Sequence, residues 1–220
     1  MADAVIFDVD GTLVDTNYLH AVCWWEAFRQ HGHGVDMGDV HGAIGMGSDK
    51  LLDHLLPADR DRDADDDIRA AHRSLYATYW TRLRAFDGAA DLLRACAERG
   101  MTVVLASSAA AGELAALRAA LDADDAISAA TSSSEAEESK PAPDIVSIAL
   151  ERADVDPARA VFVGDTIWDV QACRKAGVAC VAVRTGGICA DDLRAAGAVE
   201  IYEDTADLLR NLDQSPLVAS

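Results

Sequence analysis

The 220-residue sequence has no run of about eighteen uncharged apolar residues, so it offers nothing long enough to cross a bilayer as a helix. Its first residues, MADAVIFDVDG, lack the basic start and small-residue cleavage site of a secretory signal. Both absences lead to the expectation of a soluble, cytoplasmic chain. The cysteines Cys23, Cys96, Cys173, Cys180 and Cys189 are odd in number and never fall in CxxC spacing. That argues against a disulfide frame or a zinc site and for reduced thiols. Lysine is scarce, with only Lys50, Lys140 and Lys175. Positive charge as a whole is short, with 19 Lys and Arg against 38 Asp and Glu, a formal net charge of −19. Such a chain repels a phosphate backbone and anionic lipid, which excludes generic nucleic-acid or membrane binding. An anionic substrate would need a local positive site.

What is present is apolar material in short pieces. Half the residues are hydrophobic, enough for a substantial core. The runs AVIF (4–7), TVVLAS (102–107), AISAA (126–130), AVFVG (160–164), ACVAV (179–183) and VEIY (199–202) alternate with helix-patterned segments, among them ADLLRACAERG, GELAALRAAL, DIVSIALERA and WDVQACRKAG. Strands that are apolar on both faces and separated by helices predict a parallel sheet covered on both sides, an α/β doubly wound, Rossmann-like core. The alternation breaks once, between residues 16 and 86, where HAVCWWEAFRQHG, DKLLDHLL and DIRAAHRSLYATYWTRLRAF read as helices. So long a connection implies an inserted all-helical cap domain at 16–86, with 1–15 and 87–220 forming the catalytic core and hinges near 14–16 and 86–88.

The chemistry-bearing residues sit where strands end. VIFDVDGTLVD places Asp8 and Asp10 just past the first apolar run, with Gly11 allowing a tight turn and Thr12 able to brace it. Two carboxylates so close repel unless a cation or a proton separates them. The second strand ends in Ser107 and Ser108, hydroxyls suited to phosphate oxygens. Lys140 stands between Ser139 and Pro141, and the fourth strand runs into GDTIWD, with Asp165 and Asp169. Hard oxygen donors favour Mg²⁺ over softer metals.

DVDGT at 8–12, Ser107, Lys140 before a proline and GDTIWD at 164–169, in that order, resemble the four motifs of the haloacid dehalogenase superfamily. The inserted helices look like the cap of its phosphatases related to phosphoglycolate phosphatase and β-phosphoglucomutase. The resemblance implies a nucleophilic Asp8 and an acid/base Asp10, with Mg²⁺ held by Asp8, Asp10 through its backbone carbonyl and Asp165, and aligned by Asp169. It implies that Ser107 and Lys140 grip the phosphoryl oxygens. A Mg²⁺-dependent phosphatase acting on a small phosphorylated metabolite is the expectation. The rivals are a phosphomutase, which would carry a sugar-binding arginine where this chain shows GMGSDK, and a non-catalytic protein that binds a phosphorylated metabolite. Asn17, His20 and Lys50 are candidate substrate contacts in the cap, while one face of the helix carrying Trp24 and Trp25 should pack inside it.

Overall fold

A computed structural model describes residues 1–132 and 135–219. Six strands, β1 (Ala4–Phe7), β2 (Thr102–Ala106), β3 (Ala129–Thr131), β4 (Ala160–Gly164), β5 (Ala179–Val183) and β6 (Glu200–Tyr202), form one parallel sheet in the order β3-β2-β1-β4-β5-β6. Every residue of β1 and β4 is buried, as expected for central strands covered on both faces. Side chains of β1 divide between the faces. Val5 and Phe7 join Val103, Leu105, Leu92 and Leu117 on one, and Ile6 joins Val104, Phe162, Ile145 and Val170 on the other. The strand order reverses between β1 and β4, the place where open α/β sheets leave a crevice at their carboxyl ends.

The helices α1 (Asn17–Gln30), α2 (Met37–Ala43), α3 (Ser48–Leu55) and α4 (Asp65–Ala77) all fall between β1 and β2. They enclose an apolar cluster of their own that includes Trp24, Phe28, Leu51, Leu52 and Ile68. Their two connections to the sheet run side by side: Asp15 N–H donates to the Arg84 carbonyl and Phe86 N–H to the Leu13 carbonyl, each at 2.9 Å, around an antiparallel bridge between Val14 and Ala85. No helix among the described residues is long and apolar enough to cross a membrane.

One face of the sheet is covered by α5 (Ala89–Glu98), α6 (Ala111–Leu121) and α10 (Thr205–Arg210), the other by α7 (Asp144–Ala153), α8 (Ile167–Ala176) and α9 (Ala190–Ala196). The apolar run expected as a strand at 126–130 starts later, at Ala129. Residues 123–126 turn first, with Ala126 N–H on the Ala123 carbonyl, and Ser128 N–H then docks on the Val103 carbonyl. The short helices α9 and α10 carry little periodic signal. Helix α10 is set by Asp204, whose carboxylate accepts from the Asp207 N–H at 2.6 Å.

Candidate active site

Parallel register brings the strand ends level. Phe7 pairs with Leu105 on one side and Val163 on the other, and Asp8 N–H reaches the Val163 carbonyl at 2.9 Å. Asp8, the residue after β1, and Asp165, the residue after β4, therefore emerge side by side at the reversal point. Gly11 turns the loop back with φ +77°, and a Cβ there would overlap the Asn17 side chain. Gly186, after β5, lets the backbone close onto Asp165, where a Cβ would overlap Oδ2.

The carboxylates of Asp8, Asp165 and Asp169 lie within 4.8 Å of one another, all three buried. Lys140, itself buried, stands 2.5 Å from Asp8 Oδ1 and 2.7 Å from Asp169 Oδ1. Asp169 also closes the N-terminus of α8: Thr166 accepts from the Asp169 N–H at 3.2 Å, and Asp169 Oδ2 accepts from the Thr166 N–H at 3.0 Å. One carboxylate thus caps a helix with one oxygen and offers the other to the lysine. Asp165 accepts from Thr12 Oγ1 and from Asn17 Nδ2, both at 2.6 Å.

Burial costs the ionised forms of Asp8 and Asp165 more than their neighbours recover. Asp8 is pushed up to about 7, first by burial and then by the charges of Asp169 and Asp10, with Lys140 opposing. Asp165 lies well above the usual carboxylate range, first by burial and then by the charges of Asp169 and Asp8, with Thr12 and Asn17 opposing. Burial works against the charge of Lys140, yet Asp169 and Asp8 hold its pKa above the ordinary value. Three crowded carboxylates balanced by one ammonium suit a divalent cation, and their all-oxygen chemistry fits Mg²⁺.

A second cluster lies beside the first. Asp10, His20 and Glu113 place one ligand atom each within 4.8 Å of one another. Asp10 Oδ1 accepts from Thr16 Oγ1 at 2.8 Å and lies 3.3 Å from His20 Nε2, which is 3.8 Å from Glu113 Oε1. His20 Nδ1 is 3.2 Å from His72 Nε2, and the rings of Tyr76 and Trp24 stack on His20 and His72 respectively. Burial acts against a charged His20, but Asp10 and Glu113 outweigh it and raise its pKa. His72 goes the other way, lowered well below the imidazole range by burial, then by His20 and Arg73. His20 Nδ1 and His72 Nε2 can share one proton, and His20 Nε2 is placed to donate to Asp10, a charge on His20 being the form that serves both contacts at once. Glu113 is raised to about 7 by burial and the Asp10 charge, with His20 opposing.

Asp8 of the first cluster and all three members of the second line a cavity of about 380 Å³ between the sheet and the inserted helices, a volume typical of small-ligand sites. Asp8, Asp10, Asn17, His20 and Lys140 line it. So do Ser108, Ala109 and Ala110, whereas Ser107 is buried with its Oγ accepting from the Ala109 N–H at 3.1 Å. Lys50 is not among the lining residues. Its Nζ pairs with Glu138 at 3.3 Å, and neighbouring Asp49 accepts from Ser139 Oγ at 2.5 Å, so α3 is tied to the core loop before Lys140. Asn17, expected to meet substrate, has its amide on Asp165. Sequence reasoning did not single out Glu113, His72, Arg69 or Arg73, all of which line the cavity. The signal for three of them was the i, i+3, i+4 spacing of Arg69, His72 and Arg73 on one helix face.

The haloacid dehalogenase-like hydrolase model matches residues 2–177. The phosphoglycolate phosphatase of Nitrosospira multiformis is 31% identical over 183 residues, covering 79% of each chain. The chloroplastic protein SUPPRESSOR OF QUENCHING 1 of Arabidopsis thaliana is 30% identical over 192 residues, and this chain spans only 18% of its length. Among solved structures, a hydrolase from Pseudomonas syringae superposes with a TM-score of 0.91 at 28% identity, covering 99% of both chains.

Proposed function

Because this chain belongs to the haloacid dehalogenase-like hydrolase family, we propose that it is a Mg²⁺-dependent phosphatase hydrolysing a small phosphomonoester through an aspartyl-phosphate. The observation that carries this reading is the convergence of Asp8, Asp165 and Asp169 within 4.8 Å, on Lys140, at the floor of a cavity that Asp10 also faces. The phosphatase activity named for the Nitrosospira relative supports it.

Asp8, Asp165 and the backbone carbonyl of Asp10 would hold Mg²⁺, with Asp169 aligning its water. Bound there, the ion supplies charge neutralisation to the phosphoryl oxygens and relieves the repulsion among the carboxylates. Asp8 attacks phosphorus, an Asp8–phosphorus bond forms and the ester oxygen leaves with a proton given by Asp10. Asp10 then takes a proton from water as that oxygen attacks phosphorus, which frees the Asp8 carboxylate and phosphate. Lys140 is the fixed positive charge toward which the phosphoryl oxygens are drawn, and Ser107, by accepting the Ala109 N–H, steadies the loop of Ser108, Ala109 and Ala110 that lines the cavity beside them. His20 holds Asp10 in line. Residues 16–86 act as a cap that excludes water and selects the leaving group, with Asn17 and Lys50 serving its closed position.

Phosphate release from a panel of small phosphate esters, with Mg²⁺ and with chelator, tests this directly. Asp8→Asn should lose roughly 10⁴-fold or more, and chelation should abolish release until Mg²⁺ is restored. Release that survives both changes would sink the reading.

A further inference from the structure

Asp10, His20 and Glu113 differ from the Asp8, Asp165 and Asp169 cluster in the donor that decides which ion each suits: a ring nitrogen stands among the oxygens. Their ligand atoms are already near the spacing a metal imposes. A tetrahedral ion bonded at about 2.0–2.1 Å holds its ligand atoms about 3.4 Å apart. His20 Nε2 is 3.3 Å from Asp10 Oδ1 and 3.8 Å from Glu113 Oε1. Behind these atoms stands the outer support that a metal site needs. His20 Nδ1 faces His72 Nε2 at 3.2 Å, and one proton held between them leaves the Nε2 lone pair to the two carboxylates. Thr16 Oγ1 donates to Asp10 Oδ1 at 2.8 Å, and the Tyr76 ring stacks on His20 with centroids 3.9 Å apart. Tyr76 supplies an independent sign. It is 1% exposed, yet its hydroxyl has no hydrogen-bond partner. Asp10 and Glu113 are the carboxylates that act on that hydroxyl, and Thr16 beside it is spent on Asp10. A buried phenol left unpaired beside two carboxylates calls for a ligand, and water carried by a bound ion would satisfy it.

From this geometry we infer that Asp10, His20 and Glu113 form a second divalent-cation site, suited to a borderline ion such as Zn²⁺, which ties α1 of the inserted helices to α6 of the core and takes Asp10 out of proton transfer. An imidazole beside two carboxylates is a donor set for Zn²⁺ rather than Mg²⁺, which keeps to oxygen. The ion neutralises two carboxylates that otherwise have His20 alone between them. All three ligands and His72 line the cavity, which gives an ion its way in. His20 belongs to the inserted helices, Asp10 and Glu113 to the core. The three meet only while those helices rest on the core, so the ion holds that arrangement in place. The effect on proton transfer rests on the phosphatase reading; the site itself does not.

The test titrates Zn²⁺, and Co²⁺ as its coloured stand-in, into the full chain with Mg²⁺ in large excess to fill the other cluster. Calorimetry should show one Zn²⁺ bound per chain, and Co²⁺ should give the intense visible absorption of a tetrahedral site. His20→Gln and Glu113→Gln should each weaken Zn²⁺ binding at least about a hundredfold, and His72→Phe, which removes only the outer support, about tenfold to a hundredfold. Asp165→Asn should leave Zn²⁺ binding unchanged. The two ligand variants reach the site separately, from the insert and from the core, so one of them shown folded by its thermal melt suffices. Zn²⁺ should also stop phosphate release, and raising Mg²⁺ should not restore it. Binding unmoved by the ligand variants, abolished by Asp165→Asn or displaced by Mg²⁺ overturns the inference. So does a bound Zn²⁺ that leaves phosphate release at its native rate. A chain that hydrolyses no ester yet binds Zn²⁺ through His20 and Glu113 would reject the phosphatase and keep the site.

Discussion

Two clusters of three ionisable groups sit side by side in this molecule, equally tight and built differently. Asp8, Asp165 and Asp169 all come from the ends of β1 and β4 or the first turn of α8, so one rigid sheet places them. Asp10, Glu113 and His20 come from a core loop, the core helix α6 and the inserted helix α1. The first cluster exists whenever the sheet does. The second exists only while the inserted helices rest on the core. On the proposed reading, the residues that would hold the cation and those that would handle the proton are carried by different parts of the chain, and the difference predicts which substitutions disturb which function.

The largest effect that would break the comparison is on the cation. Asp165→Asn removes a carboxylate that is costly to ionise without metal. The Mg²⁺ concentration for half-maximal activity should rise by at least about tenfold. The rise in melting temperature that Mg²⁺ gives the native protein should vanish, since an ion that binds only the folded state stabilises it by mass action. A variant stabilised by Mg²⁺ as strongly as the native chain would show that the first cluster is not the metal site.

His20→Gln should spare Mg²⁺ dependence and strike the proton steps. Loss of the group that aims Asp10 should lower kcat by roughly ten- to a hundredfold, less than the full contribution of a general acid, and alter the pH profile. Reduced Mg²⁺ affinity in this variant would erase the distinction between the clusters.

The first cluster was legible in the sequence because each of its members follows a short apolar run or opens a helix, and strand ends in a parallel sheet converge by topology. AVIF, AVFVG and DIVSIALERA form elements with the bounds their patterns imply. The second cluster was only half legible. Asp10 and His20 stood near the motif, but Glu113 lies in GELAALRAAL, where a lone glutamate reads as the solvent face of a helix. Only the seating of α1 against α6 turns it inward, and no local pattern encodes that. The same holds for Lys50, whose neighbours in sequence suggested substrate and whose partner in space is Glu138. Contacts between the insert and the core depend on a long-range fit that residue spacing does not carry.

Glu113 gives the smallest and most specific test, because its effect is on stability and reverses the usual expectation for a paired acid. Its folded pKa is about 7 against 4.5 for the free side chain, so between those values the folded state binds the proton that the unfolded state has lost. Stability from this group is fully present below about pH 4.5 and is lost as pH rises through 7. Glu113→Gln keeps the shape and removes the titration. The variant should melt close to the native protein at pH 5 and higher than it at pH 8, by an amount on the order of 1–3 kcal/mol, reduced to the extent that His20 compensates the charge. Thermal melts at the two pH values measure it. Equal destabilisation at both would mean that the Glu113–His20 contact holds the inserted helices down as an ion pair, and that the second cluster is a latch before it is a proton relay.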